Sequence, residues 1–140
     1  MPIEMKQLID LLNKDLGLEY TAMVQYIQHS GVITGAMYGD IIKELKIHAS
    51  EEMQHALTLA EFIDYFGGFP TVAMPSPATS ENNEEMLRQD LDGELDAINR
   101  YKTRIEQAEE SKEFALAQAL RQILTVEQEH AMDLKGARGE

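Results

Sequence analysis

Cysteine is absent from this 140-residue chain, which excludes disulfides, zinc knuckles and a rubredoxin-type iron site. Proline is scarce, and three of its four copies fall in one short stretch. No apolar run approaches the roughly 20 residues of a membrane-spanning helix. The N-terminus MPIEMKQLID lacks the basic-then-apolar form of a signal peptide, so a cytoplasmic protein is expected. Basic residues are outnumbered, 12 against 25 acidic, for a formal net charge of −13. That balance disfavours nucleic acid, whose phosphates need Lys and Arg partners. An acidic surface concentrates cations and also keeps a protein in solution. What remains is 44% apolar and 26% charged, the composition of a single globular helical domain rather than of a disordered chain.

Apolar residues recur at helical spacing almost throughout, with no period-two strand. A first helix is expected from about Glu4 to Ser30, on Ile9, Leu12, Leu16, Met23 and Tyr26. Gly31, Gly35 and Gly39 then mark a turn. A second helix follows from about Asp40 to Phe66, on Leu45, Leu59, Phe62 and Phe66, and stops at GGFP. Asn82 and Glu85 have capping-box spacing for a third helix, about Asn83 to Glu110. A turn near Ser111 leads into a fourth, about Lys112 to Lys135. The expected domain is therefore 1–140, with one hairpin at 4–66, a crossover at 67–82 and a second hairpin at 83–135. Sixteen extended crossover residues reach about 53 Å, more than the about 40 Å of a 27-residue helix. The crossover can run the full length of the domain. The predicted fold is all-α, an antiparallel four-helix bundle with a long crossover between helices two and three.

The two hairpins repeat one another. SEEMQHA at 50–56 and TVEQEHA at 125–131 both carry Glu-x-x-His, as Glu52/His55 and Glu127/His130. The same shift of 75 positions maps Asp15 onto Asp90, Glu19 onto Glu94, Ala22 onto Ala97, and Tyr26 onto Tyr101. These polar residues interrupt apolar faces. The second helix reads 45, 48, 52, 55, 59, 62, 66, and the fourth reads 116, 120, 123, 127, 130, 134. Glu19 falls in the series 12, 16, 19, 23, 26, and Glu94 in 87, 91, 94, 98, 101, 105. All six point into the bundle.

Four unpaired buried carboxylates would each cost several kcal/mol of lost hydration. No Lys or Arg occupies these core positions. Two divalent ions would match four carboxylates, with one neutral imidazole for each. Such a donor set suits iron or manganese better than zinc. The repeated Glu-x-x-His, with one Glu from each remaining helix, is a helical frame for a dimetal site.

The segments LGLEYTAMVQY, EEMQHALTLAEFIDYFGGFP and NNEEMLRQDLDGELDAINRY resemble the ferritin-like superfamily, bacterioferritins above all, from the first helix to about Leu134. The resemblance implies that Glu19, Glu52, His55, Glu94, Glu127 and His130 hold two iron ions per chain, with Glu52 and Glu127 bridging. It implies a ferroxidase that oxidises Fe(II) with O2 or H2O2 and yields Fe(III) for storage. Two adjacent Fe(II) ions give up two electrons together, which avoids a one-electron oxygen product. Tyr26 and Tyr101 are two turns from Glu19 and Glu94 and read as hydrogen-bond donors around the site or as core packing. The family has a tyrosine matching Tyr26 that is an electron-donor candidate.

Met53 matches the family's haem-ligating methionine, which implies a b-type haem shared across a two-fold homodimer interface. The alternative is a methionine that packs such an interface without haem. The bacterioferritin pattern differs here in two places. The chain ends at DLKGARGE, where bacterioferritins continue into a fifth helix, so a dimer stands beside a cage as the expected homo-oligomer. Ile47 replaces a histidine that faces the cage interior. His48 reads as a donor beside the site or as a packed core residue, and His29 as a partner of the helix C-terminus. Two other functions remain open. One is a dimetal oxidase or peroxidase acting on another substrate, disfavoured by Ala97 where such relatives have an extra Glu. The other is a helical interaction module whose metals serve stability alone.

Overall fold

The structure, a computed structural model, describes residues 1–140. Four long helices follow one another: α1 (Met5–Val32), α2 (Gly39–Tyr65), α3 (Asn83–Glu110) and α4 (Phe114–Ala137), with a single 3-10 turn at Ala36–Tyr38. No helix is long and apolar enough to cross a membrane. Helix α1 runs through Gly31, and the reversal falls instead at Gly35, whose φ of 117° is open to glycine. Asn82 caps α3 by accepting from Glu85 N at 2.9 Å. The Glu85 carboxylate does not complete a capping box but pairs with Arg88. The α3–α4 reversal places Lys112 at φ 60°, a left-handed position without glycine.

Helices α1 and α2 form one hairpin and α3 and α4 the other, with α1 packing on α3 and α2 on α4. The apolar core is split into two lobes. One gathers Leu8, Leu12, Leu16, Leu59, Ile63, Tyr101, Leu116 and Leu120. The other gathers Tyr26, Leu45, Met86, Leu87, Leu91, Ala131 and Leu134. The Glu and His residues singled out above lie in neither lobe. On α2 the fully buried end residue is Ile63, while Phe62 packs from the side.

The crossover is held along one face of α1. Asn13 Nδ2 donates to Phe69 O, and Asn13 Oδ1 accepts from Thr71 N at 2.8 Å. Tyr20 donates to Thr71 O, and Thr21 to Pro75 O. Gly17 lets the strap close in, because a Cβ there would lie 2.8 Å from Ala73 O. Gln25 accepts from Ala78 N at 2.8 Å.

Two buried acids lock the hairpins together. Asp15 of α1 accepts from Arg104 Nε at 2.7 Å and Arg100 at 2.9 Å, both on α3. Asp90 of α3 meets Gln25 at 2.9 Å and His29 Nδ1 at 2.9 Å, both on α1. The repeat relates these locks residue for residue, since a shift of 75 carries Gln25 to Arg100 and His29 to Arg104. His29 was expected to serve the helix terminus. Its side chain instead turns inward, to Asp90 and, through Nε2, to Ala78 O at 3.1 Å. Burying Asp90 without a polar partner would cost several kcal/mol, which explains that inward turn.

Candidate metal centre

Between the two apolar lobes the helices bring together all six residues of the repeated pattern. Glu19 comes from α1, Glu52 and His55 from α2, Glu94 from α3, and Glu127 and His130 from α4. None is more than 6% exposed. Their donor atoms fall into two groups of four, Glu19–Glu52–His55–Glu127 and Glu52–Glu94–Glu127–His130, each within 4.8 Å throughout. His55 Nδ1 lies 3.0 Å from Glu52, 3.3 Å from Glu127 and 3.5 Å from Glu19. His130 Nδ1 lies 3.3 Å from Glu94, 3.6 Å from Glu127 and 3.8 Å from Glu52. Glu52 and Glu127 thus belong to both groups, while Glu19 and Glu94 each belong to one.

Five of these six residues keep a buried donor atom with no well-directed hydrogen bond. Glu19 Oε2, Glu52 Oε1, His55 Nδ1, Glu94 Oε2 and Glu127 Oε1 are buried and unpartnered. Such atoms are rare in folded proteins because each forfeits its hydration with nothing in return. Five of them gathered in two overlapping groups make a place that could hold cations. Four carboxylates and two imidazoles fit a dimetal site.

The electrostatics carry the same message. Burial, and then repulsion from Glu127, raises Glu94 to about 8. Burial and the charges of Glu19 and Glu127 push Glu52 well up, and Glu19 rises by burial and by the charge of Glu127. Burial also opposes ionisation of Glu127, but hydrogen bonds from His55 and Glu52 win and carry it down to about 2. Both imidazoles resist protonation through burial, yet the carboxylates overcome this. Glu127 and Glu19 raise His55 to about 10, and Glu94 with Glu127 raises His130 to about 8. Without metal, protons take the place of the missing positive charge.

The surroundings hold these side chains in position. Tyr26 donates to Glu94 Oε1 and Tyr101 to Glu19 Oε1, both at 2.5 Å. Each tyrosine therefore serves the carboxylate of the opposite hairpin, not the one two turns away on its own helix. In both carboxylates the tyrosine takes Oε1 and leaves Oε2 without a hydrogen bond, and at Glu94 His130 Nδ1 also approaches Oε1, at 3.3 Å. Glu51, which the sequence pattern did not single out, accepts from His130 Nε2 at 3.2 Å. Its adjacency to Glu52 was the one available signal. The repeat places Val126 at the matching position, so only His130 has such a carboxylate. His48 stacks on the His130 ring with centroids 3.8 Å apart and directs Nε2 to Asp133 at 3.2 Å. A cavity of about 80 Å³ between α1 and α3 reaches Glu19, Glu52, Glu94 and Glu127 past the small residues Ala22, Gly93 and Ala97.

The ferritin-like domain family matches residues 9–138. The chain belongs to that family. Among curated relatives of this ferritin-like chain, the bacterioferritin of Brucella melitensis biotype 1 is 33% identical over 125 residues, 89% of this chain and 78% of its own length. A ferritin-like diiron-carboxylate protein of Bacillus anthracis strain Ames superposes with a TM-score of 0.93, at 31% identity and 99% coverage of both chains. The bacterioferritin-related dodecameric thioferritin of Bacteroides fragilis gives a TM-score of 0.88 at 31% identity, over 96% of this chain and 86% of its own. The ferritin-like fold is thereby shared along the whole bundle, crossover included.

Met53 does not join the ferritin-like centre. It lies on the outer surface of α2, 44% exposed, one turn from the exposed Leu57. Val24 and Ile27 of α1 are exposed apolar residues of the same hairpin.

Proposed function

We propose that this chain is an iron-handling ferroxidase, binding two Fe(II) ions and oxidising them with O2 or H2O2. The observation that carries the reading is the set of five buried, unpartnered donor atoms shared between two overlapping groups of donors. Glu19 and His55 would hold one ion and Glu94 and His130 the other, with Glu52 and Glu127, which belong to both donor groups, serving both. Two Fe(II) ions bound there would give two electrons together, enough with two protons to reduce O2 to H2O2 or H2O2 to water. The chain's own residues orient and exclude water. Tyr101 and Tyr26 fix Glu19 and Glu94 and leave one oxygen of each without a hydrogen bond. Tyr26, buried and hydrogen-bonded to Glu94, is the candidate electron donor of this reading. Glu51 holds the outer nitrogen of His130 and keeps its inner nitrogen turned to the site.

The reading extends to a single domain over 1–140 in the cytoplasm, with manganese as the alternative metal. The dodecameric Bacteroides relative supports a homo-oligomer of at least two chains. Exposed Met53, with Leu57, Val24 and Ile27, supports a dimer through the first hairpin, with haem b bound at Met53. The second reading is a dimetal oxidase or peroxidase acting on another substrate, with no mineral stored. It is weakened by Ala97, which stands where such relatives have a further Glu.

The test is anaerobic Fe(II) loading followed by air, counting the ferric iron formed per chain as Fe(II) is added. Oxidation continuing to hundreds of irons held in solution supports storage. Fast oxidation that halts near two irons per chain favours the second reading. Glu127→Ala should keep the fold and lose rapid oxidation; unchanged turnover in that variant rejects the site assignment.

A further inference from the structure

A second cluster of donors lies behind His130, outside the dimetal centre. Glu44 and His48 are four residues apart on α2 and so share a face, and Asp133 faces them from α4. Their donor atoms lie within 4.8 Å of one another. His48 is wholly buried. Its ring is held between the stacked His130 and the edge of Tyr26, 5.0 Å away between centroids. That grip fixes Nε2 toward Asp133, while Nδ1 remains buried without a partner.

The charges are uncompensated. The only ion pair that either carboxylate makes is that of Asp133 with His48. Both carboxylates line a groove of about 440 Å³ beside the 3-10 turn, with Asp40 at its edge. A hydrated cation therefore has an approach from solvent that does not pass through the dimetal centre.

The internal repeat sharpens the case. The positions equivalent to Glu44, His48 and Asp133 in the opposite hairpins are Ala119, Ile123 and Thr58. The duplicated frame needs only an apolar side chain at the buried position, as Ile123 shows. A buried histidine with two facing carboxylates is an addition on one side of the molecule alone.

We propose that Glu44, His48 and Asp133 form a third divalent-cation site, separated from the dimetal centre by the His48–His130 ring stack. One imidazole nitrogen with two carboxylates selects first-row divalent ions such as Fe(II), Mn(II) or Co(II) over the all-oxygen preference of calcium and magnesium. The open groove leaves the remaining positions to water. His48 joins the two sites mechanically, because a cation that pulls on its Nε2 also sets the ring against which His130 packs.

The experiment is calorimetric titration of the metal-free full chain with Co(II), beside the double variant Glu44→Gln, Asp133→Asn, which keeps shape and removes charge. Crystals soaked in Co(II) and measured at the cobalt edge locate each ion. Three ions per wild-type chain and two per variant chain are expected, with an anomalous peak next to His48 Nε2 that the variant loses. One ion in the wild type and none in the variant would uphold this site while rejecting the dimetal reading. Two ions in both proteins, or three in both, would overturn the proposal and leave the dimetal reading standing. A variant that unfolds does not rescue the idea, since the wild-type crystal must still show cobalt at His48.

Discussion

Filling the proposed dimetal site must expel protons, and the structure sets a minimum for their number. At pH 7 the metal-free site holds a proton on His55, carried to about 10, and on His130 and Glu94, each carried to about 8. Each group must shed that proton to present a lone pair. Loading two Co(II) ions therefore releases at least three protons per chain near neutrality, since Glu52, also pushed well up by burial, can only add to them, and the product of the two binding constants climbs at least about a thousandfold per pH unit. The same protons govern the stability of the metal-free protein. All three folded values lie above the ordinary ones, so the stability they contribute is complete below the ordinary values and lost as pH rises through the folded ones. For His55 that window runs from 6.5 to about 10, and for Glu94 from 4.5 to about 8. The metal-free Tm should fall between pH 6.5 and 9, and bound Co(II) should flatten the decline. Glu127, held down at about 2, acts in the opposite sense and loses its contribution only in acid. Titration calorimetry in buffers of different ionisation enthalpy counts the protons, and scanning calorimetry follows Tm. Release of less than one proton per chain, or a metal-free Tm that climbs through this window, would refute the reasoning.

Three further outcomes are expected. Ala97→Leu puts three carbons into the narrow cavity between α1 and α3; the initial rate of Fe(II) oxidation should drop at least tenfold, at a stability cost of about 1–3 kcal/mol from overpacking, and an unchanged rate would show that iron and oxidant enter elsewhere. Lys112→Gly relieves the left-handed φ of 60°, worth about 1 kcal/mol or a rise of a few degrees in Tm by scanning calorimetry. Protein expressed with supplemented haem should show a Soret band that Met53→Ala removes, and a wild type without the band would reject haem at Met53.

Much of the arrangement was legible because periodicity reports on each helix by itself. The face series of α3 and α4 name Leu87, Leu91, Ile98, Tyr101, Ile105, Leu116, Leu120, Ile123 and Leu134, and all of them are buried. The six interrupting Glu and His residues do converge. What one helix cannot report is what the facing helix brings. Asp15 and Asp90 were visible as a repeated pair, but their partners Arg100, Arg104, Gln25 and His29 belong to the opposite hairpin. The tyrosines followed the same rule, crossing the bundle instead of serving their own helix. On α1 the expected Ile9 and Met23 are only partly buried while Leu8 is fully so; Ile9 packs beside Gly68 at the start of the crossover. Loop geometry was the other blind spot. Gly31 stays helical although glycine signals a stop, and Lys112 adopts a glycine conformation that its identity does not announce.

The matched locks around Asp15 and Asp90 carry an implication about ancestry and design. The second hairpin alone contains the buried acid, Asp90, together with both arginines of the opposite lock, Arg100 and Arg104. Two copies of residues 83–137 facing one another about a two-fold axis would give each Asp90 the pair of arginines that Asp15 has here. They would also assemble four glutamates and two histidines at the axis. The first hairpin would offer Asp15 the pair Gln25 and His29 that Asp90 has here, a lock without a permanent cation. One half of this molecule is chemically equipped to be a symmetric dimer of itself, and the other has specialised into a partner that also docks the connecting strap.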